Sequence, residues 1–248
     1  MIIIKTPQEL QIQREVCKIL AEIFKAVTGK IKPGITTLEI EKITEALIFE
    51  RNMKPAFKGY QGYPACSCIS VNEEVVHGIP SDRVIKEGDI VSVDMGIEDR
   101  GFFADMARTI AMNPVDTKRA KLIDVAKKAL EKGIAQAKEG NFLQDISYTI
   151  QNFVESNGFS VVREYVGHGI GRKLHEEPEI PNFGIKGLGV ELKKGMVLAI
   201  EPMVNAGTWQ TKVLNNGWTA VTADGKISAH FENTIAVTDQ GPEILTNY

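Results

Sequence analysis

The 248-residue chain has few cysteines, no long apolar segment and no strong excess of charge of either sign. Its three cysteines are an odd number, and Cys66 and Cys68 are too close along the chain for an easy mutual disulfide. This pattern favours a reducing compartment. The apolar start, MIIIKTPQEL, is much shorter than the core of a signal peptide, and no stretch approaches the ~20 apolar residues of a membrane span. We therefore expect a soluble, cytoplasmic protein that does not act at a membrane.

The composition predicts an ordinary globular domain. Lys and Arg total 29 and Asp and Glu total 32, so the net charge of -3 provides no strong field for binding nucleic acid or anionic lipid. The apolar content of 43% is enough for a substantial core. Because no Pro- or Ser-rich linker interrupts the chain, we expect one domain spanning residues 1–248.

Helical and extended patterns alternate in groups. Capping boxes predict helices that begin after Thr6 and Thr36, and periodicity predicts two more over 117–139 and 141–156. Strands are predicted over 69–71, 90–96, 102–110, 161–166, 196–204 and 230–237, with hairpin turns at 215–217 and 224–225. Pairs of helices followed by groups of strands favour an α+β fold with a largely antiparallel sheet.

Two aspartates, Asp94 and Asp105, lie within the predicted strands of an apolar hairpin, IVSVDMGIEDRGFFADMART. If Asp99 and Arg100 form the centre of its turn, Asp94 and Asp105 face each other directly across the strands. Two carboxylates at that separation repel each other unless a cation lies between them. The pattern therefore indicates a divalent metal site. The alternative is that one aspartate lies in a loop or at the surface.

Further acids and histidines support the metal interpretation. Glu201 in MVLAIEPMV and Glu232 in HFENTIAV interrupt apolar strands, where an unpaired charge would cost several kcal/mol. The four histidines, each flanked by Gly, Pro or acidic residues, are His77, His168, His175 and His230. Gathered around two divalent cations, the buried carboxylates would offset one another's charge.

The residue types narrow the choice of metal and exclude several common motifs. Four carboxylates and one imidazole form a hard, oxygen-rich donor set that suits Mn, Fe or Co and tolerates Zn. Cys66 and Cys68 lack a second cysteine pair, so a structural zinc cluster is not expected. The segment after His175 lacks the second histidine of a helical zinc-protease motif, and no helix start follows the glycines around His168.

The segments SVDMG, FADMART, GHGIGRKLHEEP, AIEPM and FENTIAV, with GYPACSCISVNEEVVHGIP, resemble the type I methionine aminopeptidases of metallopeptidase family M24. The resemblance covers nearly the whole chain. It implies the pita-bread fold, in which two pseudo-symmetric α+β halves enclose a curved antiparallel sheet. It also implies removal of the N-terminal methionine from nascent or newly made proteins, with a small second residue, by hydroxide bridging two metal ions.

The resemblance implies a dinuclear site with five ligands. Asp94 would chelate one ion, His168 and Glu201 would hold the other, and Asp105 and Glu232 would bridge them. The native metal, whether Mn, Fe, Co or Zn, is left open because it depends on availability as well as on affinity.

The same resemblance implies three catalytic residues. Glu201 would also move the proton from the nucleophile toward the leaving amine. His175 would hydrogen-bond the carbonyl of the scissile bond, and His77 would contact the backbone of the residue after that bond.

The resemblance also implies a pocket for the methionine side chain. Its positions are matched by Tyr60, Tyr63, Cys68 and Trp218, while His77 and His175 would also contact substrate. Two residues depart from the family pattern, since Phe57 stands where a small Cys is common and Leu174 replaces a frequent aromatic. Both are apolar, so we expect a reshaped pocket that retains its preference for methionine.

Two other functions are compatible with this fold. An Xaa-Pro aminopeptidase or prolidase usually has an added N-terminal domain, for which this chain has no room. A non-catalytic module that binds ribosomes, RNA or histones has typically lost metal ligands. We expect a monomer. Ribosome association is left open, since an enzyme that acts on nascent chains works near the ribosome but this sequence has no basic tail that would indicate binding.

Overall fold

Four α-helices and fifteen strands make up the fold of residues 1–247, the part of the chain that the computed structural model describes. The helices are α1 Pro7–Thr28, α2 Thr37–Glu50, α3 Thr117–Ile134 and α4 Leu143–Ser156. The strands are β1 Lys54–Pro55, β2 Ser67–Val71, β3 Glu74–Val76, β4 Ile90–Asp99, β5 Phe102–Ala111, β6 Ser160–Val161, β7 Gly167–Gly169, β8 Glu176–Ile180, β9 Val197–Ile200, β10 Met203–Asn205, β11 Thr211–Val213, β12 Ala220–Thr222, β13 Ser228–His230, β14 Glu232–Thr238 and β15 Gly241–Ile244. In this part of the chain, no helix is both long and apolar enough to cross a membrane.

The first two helices begin where their capping boxes predict. Thr6 and Thr36 accept hydrogen bonds from the backbone three residues on, and the carboxylates of Glu9 and Glu39 accept from the cap backbone. Helix α3 ends at Ile134, earlier than predicted from the sequence. The chain turns there, burying Ala137 and pairing the Gly140 N–H with the carbonyl of Leu192.

A nine-stranded sheet organises the molecule. Its main path runs β1-β4-β5-β14-β9-β7-β8, with β2 paired to β4 and β15 paired to β14, and every pairing is antiparallel. One apolar core joins α1 and α2 to β2, β4 and β5. A second joins α3 and α4 to β9 and β14. The α+β, largely antiparallel prediction is confirmed.

The β4–β5 hairpin has a different register from the predicted one. Asp99 pairs with Phe102, so the two-residue turn consists of Arg100 and Gly101, both with positive φ (51° and 77°). Two-residue hairpin turns of this kind need positive φ at both positions, which glycine adopts readily. The predicted turn, centred on Asp99 and Arg100, is therefore wrong by one position.

This register moves the two aspartates from opposite to diagonal positions. Asp94 pairs with Ala107, and Asp105 pairs with Gly96. Residues two apart on a strand share a face, so both carboxylates still lie on the same side of the sheet. Diagonal neighbours are ~7–8 Å apart at the backbone rather than directly opposed.

Two long predicted strands are each divided in the structure. The stretch 196–204 forms β9 and β10, which belong to different sheets and separate at Glu201 and Pro202. The stretch 230–237 divides at Phe231 between β13 and β14. Proline lacks the N–H that a continuous ladder needs, which explains the first break.

Smaller differences concern the C-terminal half. The predicted strand over 161–166 is reduced to β6, and α4 begins at Leu143 rather than at 141. The turn at 215–217 lies in the β11–β12 hairpin as predicted. The turn at 224–225 does not close a hairpin, because β12 and β13 belong to different sheets.

The hairpin yields a stability prediction that compares two of its glycines. At Gly96 an added Cβ would lie 2.9 Å from the carbonyl oxygen of Ala104 and from a ring carbon of Phe57, whereas nothing lies within 4 Å at Gly101. Gly101→Ala should cost about 1 kcal/mol through its positive φ. Gly96→Ala should cost roughly 3 kcal/mol, since overpacking typically costs ~1–3 kcal/mol.

Urea unfolding of the two variants measures these costs. Equal losses, or a larger loss for Gly101→Ala, would show that the two strands can separate at Gly96 without strain.

Candidate metal centre and active site

A single cavity of about 140 Å³ gathers the side chains that the sequence analysis singled out. It is lined by Phe57, Tyr60, Gln61, Tyr63, Cys68, His77, Asp94, Asp105, His168, Leu174, His175, Glu201, Trp218 and Glu232. Every residue predicted as a metal ligand, as catalytic or as part of the methionine pocket belongs to this lining. Segments far apart in sequence therefore converge on one site.

The pairing of β2, β4, β5 and β14 places two of the acids in one row. Cys68 pairs with Asp94, Asp94 pairs with Ala107, and Ala107 pairs with Glu232. Ala107 thus separates the two carboxylates. Its small side chain leaves space above the sheet between them.

The remaining members come from β5, β7 and the end of β9. His168 pairs with Ala199, which pairs with Thr234 on β14. The Thr234 hydroxyl donates to the carbonyl of Asp105 and accepts from its N–H, at 2.8 and 3.2 Å. Glu201 follows β9 directly, at the break before Pro202.

Two groups of possible metal-ligating atoms form at the bottom of the cavity. Asp105, His168 and Glu232 place one ligand atom each within 4.8 Å of one another, and so do Glu201, His230 and Glu232. Glu232 belongs to both groups. The arrangement is therefore compatible with two neighbouring cations that share a carboxylate.

The acids in this cluster lack the partners that buried carboxylates normally have. One carboxylate oxygen each of Asp94, Asp105 and Glu232 is buried without a hydrogen-bond partner among residues 1–247. Burial raises the pKa of Glu201 to about 8 and that of Asp94 to about 7. Burial, reinforced by neighbouring carboxylates, raises the pKa values of Asp105 and Glu232 well above their usual range.

These properties fit a divalent cation. Without one, the protein leaves several unpaired oxygens crowded together, and protonation is favoured over ionisation. The donors are mainly carboxylate oxygens, with the imidazoles of His168 and His230 beside them, which suits hard divalent ions.

His168 has the orientation of a nitrogen ligand. Its Nδ1 lies 2.9 Å from the carbonyl oxygen of Gly169, to which only an N–H can donate. This leaves the lone pair on Nε2, which lies 3.5 Å from a Glu201 oxygen. Burial lowers the pKa of His168 to about 3, so the ring is neutral at physiological pH, as ligation requires.

Two further histidines line the cavity above the cluster. His175 lies with its ring centroid 4.3 Å from that of His168, and its Nδ1 is 2.7 Å from the Tyr60 hydroxyl. His77 makes an edge contact with Tyr165 and adopts a positive φ of 59°. Burial lowers the pKa of both histidines, in His77 to about 4. Both are thus neutral donors or acceptors at neutral pH.

The apolar part of the cavity is built from aromatic and sulfur-containing side chains. Tyr63 and Trp218 meet edge to face at 5.2 Å between ring centroids, and Cys68 is buried beside them in the lining. Phe57 and Leu174, the two departures from the family pattern, are also buried in this lining. They contribute apolar surface to the pocket.

One member of the site was not predicted, and another was singled out among the histidines without being given a role. Gln61 lines the cavity from a short 3₁₀ turn, which left no pattern in the sequence. His230 joins the acidic group from β13. The break at Phe231 puts His230 in a different sheet from Glu232, so strand periodicity does not indicate how close His230 lies to Glu201.

The carboxylate cluster yields a prediction about pH and metal. The folded pKa of Glu201 lies above its ordinary value of 4.5, so between about 4.5 and 8 the metal-free fold binds more protons than the unfolded chain. The contribution of Glu201 to the stability of the metal-free fold therefore falls as the pH rises through that window. A cation binds the deprotonated form, so its stabilising effect should grow over the same window.

We expect the difference in Tm between the Mn²⁺-loaded and the chelator-treated protein to be larger near pH 8 than near pH 5, and Glu201→Gln should reduce that increase. Thermal unfolding at the two pH values measures it. A difference independent of pH would contradict metal binding by these acids.

Comparisons with known proteins agree with this geometry. The model of metallopeptidase family M24 matches residues 11–239. Methionine aminopeptidase from Clostridium perfringens is 52% identical over 246 residues, which are 99% of each chain. The crystal structure of methionine aminopeptidase from Thermotoga maritima superposes with a TM-score of 0.98 at 49% identity, over the full length of both chains.

A more distant structure shares the fold alone. Prolidase from Pyrococcus furiosus has a TM-score of 0.81 at 24% identity, and the match covers 99% of this chain and 66% of that one. With the curved antiparallel sheet and four helices, these matches show the predicted α+β pita-bread fold. The chain belongs to metallopeptidase family M24 and, within it, to the methionine aminopeptidases.

Proposed function

We propose that this protein removes the N-terminal methionine from peptides and newly made proteins in a metal-dependent hydrolysis that favours a small second residue. The observation that carries the proposal is the juxtaposition, in one cavity, of a carboxylate–imidazole cluster and an apolar pocket. The cross-strand pair of Cys68 and Asp94 joins the two parts. A side chain held against Cys68 would place its own backbone beside the cluster.

The pocket suits methionine. A thioether side chain is flexible and polarizable, and it packs well against aromatic rings and sulfur. Tyr63, Trp218 and Cys68 offer such a surface, with Phe57 and Leu174 enclosing it. The cavity of about 140 Å³ leaves little room beyond the first residue, which favours a small second side chain.

Family membership and the clustered donors support the use of divalent metal. We propose two ions held by Asp94, Asp105, His168, Glu201 and Glu232, with Mn, Fe, Co and Zn as the candidates that suit these donors. When bound, divalent cations lower the pKa of water and polarise carbonyl oxygens.

The side chains around the cluster would carry out the remaining steps. Glu201, with its pKa raised by burial, can accept a proton from the attacking water and pass it to the leaving amine. If the Tyr60 hydroxyl donates to Nδ1 of His175, the proton of that ring lies on Nε2 and can be donated to the scissile carbonyl. We propose that His77, which lines the same cavity, contacts the substrate backbone.

Assembly and location are further proposals. We propose one peptidase domain over residues 1–248, acting as a cytoplasmic monomer on N-termini, including those of chains emerging from the ribosome. The balanced charge supports small peptide termini as substrates rather than nucleic acid. An Xaa-Pro peptidase is less well supported, because the prolidase that shares the fold is 24% identical to this chain, whereas the methionine aminopeptidase from Clostridium perfringens is 52% identical. A non-catalytic module is disfavoured by the complete set of five ligand positions.

Peptide hydrolysis tests the function directly. Met-Ala-Ser should be cleaved after methionine and Met-Leu-Ser should resist, since a bulky second side chain has no room. Chelation should abolish turnover, and Mn²⁺ or Co²⁺ should restore it. Glu201→Gln should lower kcat by ~100-fold or more, the usual range for loss of a general base.

Release of free methionine, followed by chromatography, is the measurement. Turnover that survives chelation, or cleavage of Ala-Pro-Ser in preference to Met-Ala-Ser, would contradict the proposal. The folded state of Glu201→Gln is verified by its thermal transition.

His175 gives a prediction about carbonyl stabilisation. His175→Ala should lower kcat by ~100-fold, the typical effect of losing one oxyanion donor, with a smaller change in KM. Tyr60→Phe removes only the hydroxyl that faces Nδ1, so it should lower kcat less. Steady-state kinetics on Met-Ala-Ser distinguish the two, and an effect of His175→Ala confined to KM would argue against this role.

A further inference from the structure

His230 lies beside the carboxylate cluster, and the roles assigned so far leave it without a function. It is the last residue of β13 and is 1% exposed. Its backbone N–H donates to the Thr109 hydroxyl at 2.8 Å, and its carbonyl accepts from the same hydroxyl at 3.0 Å. Thr109 is in turn 2.8 Å from the Ser92 hydroxyl. The backbone that carries the imidazole is therefore fixed from two neighbouring strands.

The ring nitrogen Nε2 of His230 points at Glu201. It is buried without a hydrogen-bond partner in the described part of the chain, and it lies 3.5 Å from Oε2 of Glu201. The other oxygen, Oε1, lies 3.5 Å from Nε2 of His168. The carboxylate of Glu201 is thus held between two imidazoles.

The two imidazoles differ in their access to the cavity. His168 lines it, together with the other four proposed ligands, whereas His230 is not among the lining residues. His230 therefore approaches Glu201 from the protein side. Its position suits a residue that acts through Glu201 rather than one that contacts substrate.

The charge of Glu201 decides which ring nitrogen carries the proton. When Glu201 is ionised, as metal ligation requires, an Nε2 lone pair of His230 would repel the oxygen that it faces, whereas an Nε2–H would donate to it. The Nε2 lone pair of His168 differs, because it faces the cavity in which a cation can lie. A separation of 3.5 Å is long for a hydrogen bond, but bonds to catalytic groups commonly tighten once ligands bind.

We propose that His230 is a positioning residue that donates Nε2–H to Oε2 of Glu201 and so holds this carboxylate in the orientation needed for metal ligation and proton transfer. The role rests on the proposed function of Glu201. Partners of this kind commonly fix a ligand's orientation, and their loss lowers metal affinity by ~10–100-fold.

Calorimetric titration of the metal-free, full-length protein with Mn²⁺ tests the proposal without using activity. His230→Leu removes the donor and should weaken binding by ~10–100-fold. His230→Gln keeps an N–H at a similar reach and should bind close to wild type. Ser228→Ala, a buried change two residues along the same strand at a hydroxyl that donates to the carbonyl of Val204, is the matched control and should also bind normally.

Kinetics on Met-Ala-Ser at saturating Mn²⁺ provide a second readout. His230→Leu should lower kcat with little change in KM, because His230 does not line the cavity, and His230→Gln should restore most of the loss.

Three results would overturn the proposal. His230→Leu could bind Mn²⁺ as wild type does, or His230→Gln could lose as much affinity as His230→Leu. The third result concerns imidazole N–H resonances that bound Co²⁺ shifts. If the Co²⁺-loaded wild type had two of them and the Co²⁺-loaded His230→Gln had one, His230 would be a direct ligand. If the wild type failed to cleave Met-Ala-Ser, the proposed peptidase function would be wrong, while the Mn²⁺ titrations would still test the role of His230.

Discussion

The mutual repulsion of carboxylates in one largely buried cavity is the constraint on which this structure depends. Asp94, Asp105, Glu201 and Glu232 face the same space, and oxygens of three of them lack any hydrogen-bond partner among residues 1–247. Such a cluster is costly unless protons or cations neutralise it. The fold tolerates it because each acid is attached to a strand or strand end that is fixed elsewhere by pairing and by the two apolar cores. The site is therefore rigid in its backbone, and its charge depends on what binds there.

Small residues and strand breaks provide the space that the cluster needs. Gly96 and Ala107 lie opposite the two aspartates of the hairpin, and Ala199 lies opposite His168. The break at Pro202 releases Glu201 from the ladder just where its side chain reaches the cavity. In a continuous strand, the backbone of Glu201 would be paired with a neighbouring strand and would not be free of the ladder. The irregularities of the sheet and the geometry of the site thus have the same cause.

Local signals explain why much of this could be predicted from the sequence. Capping boxes at Thr6 and Thr36 fix helix starts through contacts three residues apart, and acids within apolar strands indicate a shared site wherever those strands meet. The hairpin register could not be predicted as well, because Asp99-Arg100 and Arg100-Gly101 are both plausible turns that differ by one residue. The second turn needs positive φ at both of its residues, and glycine at position 101 favours it because glycine adopts positive φ readily. The division of 196–204 and 230–237 into strands of different sheets depends on long-range pairing, and so does the placement of His230 beside Glu201.

Recognition and chemistry are coupled through the strand that both parts of the cavity share. Cys68 of the apolar pocket pairs with Asp94, and Phe57 packs so closely on Gly96 that a Cβ there would approach its ring to 2.9 Å. Gly96 in turn pairs with Asp105. A change in the volume of residue 57 would therefore press on the strand that carries Asp94 as well as on the substrate. In this chain the size of the aromatic pocket and the spacing of the acids cannot vary independently, because both are set by the same ten residues of β4.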